Sequence, residues 1–338
     1  MEFNKLFREM VLVFGGGGGG DVATSAFIAL KLRSLGCQSY IACTPWERFS
    51  VDPNPGPISF NNIKGGTRIG RYSMAVDGNS YAIRGGSKIV FQAVNISSVL
   101  NEPVYICDLN TGVKGVANCL TELVKYLNVD LILGVDVGGD ILAEGFEDDL
   151  WSPLADQIML SALYRVESSN TCRTLIGVAS IGSDGELSRE YILERLSIIA
   201  GRGGLIGSIG FGYNDLEYMD RILSKAITEA GRAIPDAIRG FRGFRFIRGG
   251  SRRIYIDPIS TIVFLLDTCI VYDLSRIARL IIDTESIEDA NRILVDHGVF
   301  TELELEKRLY ELLESCVKLD SKIILDIKKS WIKSRRRH

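Results

Sequence analysis

Six consecutive glycines, Gly15, Gly16, Gly17, Gly18, Gly19 and Gly20, stand between the apolar run Met10–Phe14 and a helical segment read over Asp21–Leu35. Glycine lets a backbone turn tightly and approach a ligand with no Cβ in the way. A helix start offers unpaired N–H groups and the positive end of its dipole. Strand, glycine loop and helix start in that order make an anion site, usually for phosphate. A bare turn needs fewer glycines, each of which costs backbone entropy, so the run points to a ligand. Asp21 reads as the N-cap of the helix. Its charge would repel a naked phosphate, so with phosphate bound it must face a metal ion, a hydroxyl or an amine.

The glycines alone do not name the ligand. Gly15, Gly17 and Gly20 match the dinucleotide fingerprint, but any six-glycine run does so. That fingerprint wants an acid at the end of the second strand for the ribose. Here the strand Ser39–Cys43 is followed by Thr44-Pro45-Trp46, and Glu47 comes only after the proline. The P-loop pattern fails, because no Gly-Lys-Ser/Thr follows.

Acids and glycines recur after other apolar strands. Asp108-Leu109-Asn110-Thr111-Gly112 follows Pro103–Cys107. Asp136-Val137-Gly138-Gly139-Asp140 follows Val129–Val135, and Ser183-Asp184-Gly185-Glu186 comes soon after Thr174–Ala179. Ligands of parallel sheets bind beyond the carboxyl ends of the strands. Clustered carboxylates either raise one another's pKa or share a cation. An all-oxygen set suits Mg²⁺, with substrate phosphates completing its shell. Asp136 and Asp140 are therefore expected as metal ligands and catalytic groups. Gly138, Gly139, Asp108 and Asp184 are expected to bind ligand with Gly15–Gly20 and Asp21. Asp148 and Asp149 are expected to complement the dipole of a helix starting at Ser152-Pro153.

A second candidate is Arg239–Arg253, with six arginines in fifteen residues spaced by glycine and phenylalanine. The guanidinium fork suits phosphate or carboxylate. Arg248 is expected as a catalytic cation and Arg252 as a ligand contact. The interleaved aromatics also fit single-stranded nucleic acid, while Phe241, Phe244 and Phe246 read equally well as hairpin core.

Strands alternating with helices imply a mostly parallel sheet. The expected fold is α/β and Rossmann-like, with helices on both faces. A small β insertion at about residues 48–95 is expected to include Arg71–Val76 and Ile89–Val94 as strands. Residues 1–270 read as the α/β domain, and 271–338 as a helical region packed on it. Asn214–Arg232 reads as one helix. Ser188, Ser286 and Thr301 read as helix caps, and His297 as facing a helix C-terminus.

Composition narrows the classes. Hydrophobic residues make up 46 %, enough for a large core, and the net charge of −3 gives no global case for nucleic acid or an anionic membrane. The basic end, Lys328–Arg337, reads as a solvated helix end rather than a nucleic-acid arm. No apolar run is long enough for a membrane span, and no signal peptide is read at the N-terminus. Seven scattered cysteines without a CxxC read as reduced core residues of a cytoplasmic protein. Only His297 and His338 occur, which argues against histidine zinc sites and Ser-His-Asp catalysis.

Taken together, Phe14–Asp21, Gly134–Glu147, Ser152–Asp156, Ser183–Leu187, Thr228-Glu229-Ala230 and Arg248–Arg252 resemble an uncharacterised, mainly archaeal domain-of-unknown-function family. The resemblance covers nearly the whole chain. It implies a Rossmann-like α/β fold and a cytosolic location, and supplies no activity.

The functional expectation rests on the residues themselves. It is an enzyme acting on a phosphorylated or nucleotide ligand, with Mg²⁺-assisted phosphoryl transfer or hydrolysis. One alternative is a nicotinamide- or flavin-dependent oxidoreductase, weakened by the missing acid after the second strand. Another is a non-catalytic nucleotide sensor or RNA-associated protein. The expected partner is a small phosphorylated ligand, with homo-oligomerisation left open.

Overall fold

The computed structural model describes residues 10–317 and 319–335. The chain begins with β1 (Met10–Gly15), α1 (Gly19–Ser34) and β2 (Gln38–Cys43). Short strands follow: β3 (Ile63–Lys64), β4 (Thr67–Arg68), β5 (Ser73–Val76), β6 (Tyr81–Arg84) and β7 (Ser87–Ile89). Alternation resumes with α2 (Gln92–Leu100), β8 (Val104–Cys107), α3 (Gly112–Leu127), β9 (Leu131–Val137), α4 (Pro153–Ser168) and β10 (Arg173–Ala179). Then come α5 (Arg189–Gly201), β11 (Leu205–Gly210), α6 (Leu216–Leu223), α7 (Ala233–Ile238), β12 (Gly243–Ile247), β13 (Arg252–Ile256) and β14 (Ile262–Asp267). The helical end comprises α8 (Thr268–Leu274), α9 (Arg276–Ile281), α10 (Ile287–Asp296), α11 (Glu302–Glu314) and α12 (Ser321–Arg335).

The nine-stranded central sheet runs β11-β14-β10-β9-β1-β2-β8-β5-β4. Its middle, β10-β9-β1-β2-β8, is parallel, and both margins are antiparallel. The result is a mixed α/β fold with a mostly parallel sheet and a helical C-terminal region. Strand order reverses at the β1–β9 pair. Strands buried on both faces read as continuous apolar runs, and β1 shows why. Leu12 and Phe14 join the core formed with α3, α4 and the C-terminal helices. Val11 and Val13 point the other way, into the core formed with α1, α2 and α6.

Four local expectations are corrected. Ile89–Val94 does not stay extended: β7 ends at Ile89 and α2 starts at Gln92. The Glu47 carboxylate accepts the Gln92 N–H at 2.7 Å and so caps that helix, whose apolar residues then bury at helical spacing. Asn214–Arg232 is not one helix, because α6 stops at Leu223. The Gln92 side-chain amide pairs with both backbone groups of Ile227 and holds that segment irregular. Phe244 and Phe246 are exposed on the β12–β13 hairpin rather than buried in a core. Cys107 and Cys119 are joined by a disulfide rather than reduced, since the end of β8 and the face of α3 bring their Cα atoms to 5.7 Å. Cys37, Cys43, Cys172, Cys269 and Cys316 are free.

The insertion also divides in an unforeseen way. β3, β6 and β7 form a separate three-stranded sheet, whereas β5 pairs with β8 and extends the main one. Ser188, Ser286 and Thr301 cap α5, α10 and α11 as expected, and His297 Nδ1 bonds the Ile293 carbonyl at the end of α10. Lys328 and Lys333 lie on α12, with Lys328 buried, whereas Arg336, Arg337 and His338 fall outside the described residues. Among the described residues no helix is long and apolar enough to cross a membrane.

Candidate functional site

The parallel strands deliver acids to one edge. Asp136 lies within β9 itself, so that strand runs two residues further than its apolar run suggests. Gly138 and Gly139 then adopt φ of 125° and 111° and turn the chain back. Asp140 opens the short 3₁₀ turn that follows. A Cβ on Gly138 would stand 2.2 Å from Asp184 Cγ, so only glycine lets the loop after β10 come this close. That loop brings Asp184 and Glu186, and the first turn of α4 brings Asp156.

Two overlapping groups of carboxylates result. Oxygens of Asp136, Asp140 and Asp156 lie within 4.8 Å of one another, as do oxygens of Asp140, Asp184 and Glu186. All five side chains are buried. Burial, then the charges of Asp21 and Asp184, push the Asp136 pKa well above the carboxylate range. Burial also raises Asp140 and Asp156, with Asp156 the chief neighbour acting on Asp140, and Asp136 on Asp156. Asp184 is pushed up to about 7 by burial and Glu186, against the pull of Arg252. Glu186 goes the opposite way. Burial would raise it, but Arg252, the Ser152 hydroxyl and the N–H groups of Trp151 and Ser152 outweigh that and hold it low.

Three carboxylate oxygens in these groups, Asp136 Oδ2, Asp156 Oδ1 and Asp184 Oδ2, are buried with no hydrogen-bond partner among the described residues. A buried, unpaired polar atom is costly whether ionised or protonated.

The glycine loop lies against this cluster. Asp21 is not the helix N-cap: α1 starts at Gly19, with Gly18 as its cap residue and no side-chain cap. Asp21 sits within the first turn, and its Oδ1 accepts the Val137 N–H at 2.8 Å. Burial pushes its pKa up to about 7, opposed by that bond. A Cβ on Gly17 would be 2.2 Å from Asp21 Oδ2 and 3.6 Å from Asp156 Oδ1. Other glycines are needed for packing. A Cβ on Gly16 would meet Met159 at 2.5 Å, one on Gly19 the Ile227 carbonyl at 2.9 Å, and one on Gly15 the Asp21 backbone at 3.0 Å. Gly18 is exposed, and it and Gly20 have room around them. Close approach by protein atoms thus accounts for part of a run that looked excessive for a turn.

The two expected arginines take different places. Arg252 donates from Nη1 to Glu186 Oε1 at 2.9 Å and to the Asp184 carbonyl at 3.1 Å, with its guanidinium 5.1 Å from the Trp151 ring centre. Arg248 donates its backbone N–H to Glu229, whose carboxylate also pairs with Arg48 at 3.0 Å. Its buried Nε has no partner among the described residues. Burial and the neighbouring charges of Arg48 and Arg252 push its pKa down to about 9, and its own charge acts on Asp21. Arg248 and Ser180, the residue just after β10, hold left-handed φ of 54° and 49°. Such backbone costs about 1–3 kcal/mol in non-glycine residues and gathers at functional sites.

Not every expected residue joins the cluster. Asp108 is turned to local structure: it accepts from the N–H groups of Phe60 and Asn110 and from the side chains of Ser59 and Asn110. Asp148 and Asp149 are exposed. The first N–H groups of α4 are capped by Glu302, which accepts from Leu154 and Ala155 N–H at 3.0 and 2.8 Å. Asp156 and Glu186 are the members not singled out from the sequence. Each sits in a segment that carried the family resemblance, Ser152–Asp156 and Ser183–Leu187, and that was their signal.

A family model described as "Protein of unknown function (DUF1152)" matches residues 12–310. No curated protein and no solved structure matches the chain.

Proposed function

The chain belongs to the DUF1152 family, whose description carries no activity, and from its own residues we propose an enzyme that acts on a phosphorylated or nucleotide ligand with Mg²⁺. The observation that carries this reading is the set of unpartnered, buried oxygens on Asp136, Asp156 and Asp184, beside the glycine loop and the uncapped start of α1. The donors are all carboxylate oxygens, which suits Mg²⁺ or Mn²⁺ rather than zinc. Asp136 and Asp140 would hold the metal, joined by Asp156 or by Asp184 and Glu186.

The fold supports the reading when taken as Rossmann-like. Across the sheet, β8-β2-β1-β9-β10 are the third, second, first, fourth and fifth parallel strands. In such sheets ligands bind at the reversal of strand order, beyond the carboxyl ends. Here that point is flanked by Gly15 and Asp136. A pyrophosphate laid on this loop with no cation, as a nicotinamide enzyme requires, would face the carboxylates of Asp21 and Asp156. That favours the metal-assisted reading over the oxidoreductase.

The reaction class is phosphoryl transfer or hydrolysis. The cation supplies charge neutralisation for the phosphoryl group. Backbone N–H groups of Gly18–Gly20 hold phosphate oxygens. Arg248, with its free Nε, offsets charge that develops in the transition state. Arg252 keeps Glu186 ionised and in place. In hydrolysis, a bond forms from the oxygen of water to phosphorus as the bond to the leaving oxygen breaks. The proton of water passes to a carboxylate of the cluster, and the leaving oxygen takes one from solvent.

Thermal-shift measurements with nucleoside mono-, di- and triphosphates, each with and without Mg²⁺, test the reading. Stabilisation by at least one phosphate-bearing ligand, dependent on Mg²⁺ and lost in Asp136→Asn, is expected. No stabilisation by any of them overturns it.

A further inference from the structure

We infer that the acidic cluster is built for two divalent cations, held side by side with Asp140 between them. The inference rests on the metal reading above and adds the number of ions and the ligands of each. One position is bounded by Asp136, Asp140 and Asp156, and the other by Asp140, Asp184 and Glu186.

Each position has its own reason to need a cation. In the first, Asp136 Oδ2 and Asp156 Oδ1 lack partners; in the second, Asp184 Oδ2 does. These residues are only 1 %, 5 % and 6 % exposed, so water does not satisfy them freely. Asp136 and Asp156 belong to the first group alone, and Asp184 to the second alone. An ion in each position therefore brings a cation to both groups that hold these three oxygens.

Charge points the same way. The two groups contain five carboxylates, with Asp21 beside them, and Arg252 pairs with one of the five, Glu186. A single divalent ion leaves most of the charge of the ionised cluster uncancelled, and a second takes up more of it. Buried charge left uncancelled is strongly disfavoured.

Backbone geometry gives Asp140 the sharing role. It follows two glycines whose left-handed φ angles turn the chain out of β9, so it stands between the α4 side, with Asp156, and the β10 side, with Asp184. A carboxylate has two oxygens and can serve two ions at once. Paired ions about 3.5–4 Å apart, which clamp the attacking and leaving oxygens of a displacement, are the usual arrangement for phosphate chemistry.

Titration of the full chain with Mn²⁺, read by calorimetry and by electron paramagnetic resonance, tests this. Two ions per chain are expected, with the six-line Mn²⁺ signal weakened by spin coupling at full occupancy. Asp156→Asn and Asp184→Asn, checked for folding by circular dichroism, should each bind one ion and restore an uncoupled signal. Asp140→Asn should weaken both sites. One ion per wild-type chain overturns the pair but leaves the proposed function standing, whereas no bound ion overturns both. Two ions retained by Asp184→Asn would remove the second position as assigned. The wild-type stoichiometry decides the matter even where a variant fails to fold.

Discussion

Asp21 Oδ1 accepts the backbone N–H of Val137 at 2.8 Å, which ties the first turn of α1 to the last residue of β9. This bond locks the glycine loop to the strand that carries Asp136. Asp21→Ala is expected to leave the Val137 N–H buried and unpaired, and to cost about 1–3 kcal/mol. Asp21→Asn keeps an acceptor and removes a repelling charge, so its stability should stay near wild type. Urea unfolding of the two variants checks the ordering. Equal stabilities would show that the bond does not bear on the fold.

The glycines should separate by position. Gly17→Ala would place a Cβ 2.2 Å from Asp21 Oδ2. Asp21 must then move, with a loss of about 1–3 kcal/mol, as for other overpacked sites. Gly18 is exposed, and its nearest neighbour to a new Cβ is the Trp46 carbonyl at 3.6 Å. Gly18→Val should therefore fold nearly as well as wild type yet lose phosphate-ligand binding. Ligand-induced thermal shifts intact in Gly18→Val would reduce the loop to a turn.

Arg252 and Glu186 form a buried pair, their side chains 11 % and 1 % exposed. Removing one partner of such a pair costs about 3–5 kcal/mol, because the other charge stays buried. Arg252→Met should lose that much stability in metal-free buffer. If Glu186 also serves a cation, saturating Mg²⁺ should recover part of the loss. Denaturant midpoints with and without Mg²⁺ measure both effects. A loss below about 1 kcal/mol would mean that water already screens the pair.

The parallel strands were legible because burial on both faces writes itself as an unbroken apolar run, as in Met10–Phe14 and Val129–Val135. Their common direction then placed Asp136, Asp140 and Asp184 at one edge. Partners supplied from far along the chain were not legible. Glu47 capping Gln92 turned an expected strand into α2, and Glu302 reaches from the helical end to cap the start of α4. Asp156 was hidden for a different reason: an acid in the first turn of a helix reads as dipole compensation, and only the fold of α4 against β9 aims it at Asp136. Asp108 misled because an aspartate after a strand serves equally well to hold a local turn.

Glu306 on α11 accepts from Trp46 Nε1 at 3.0 Å and from the Gly56 N–H at 2.8 Å, and so anchors the helical end to the loop after β2. Burial pushes its pKa from an ordinary 4.5 up to about 8, against the pull of those bonds. The folded state therefore holds this proton more tightly than the unfolded state does. Between about pH 4.5 and 8 the unfolded chain binds fewer protons, so stability must fall as pH rises across that window. The favourable contribution is full below the unfolded pKa and is lost as pH passes the folded one. Glu306→Gln cannot ionise and should remove this slope, while its amide oxygen in the place of Oε2 keeps an acceptor for both donors. The difference in unfolding free energy between variant and wild type should thus shift in favour of the variant from pH 5 to pH 8. A difference that stays constant over that range would mean that Glu306 is already ionised in the folded protein.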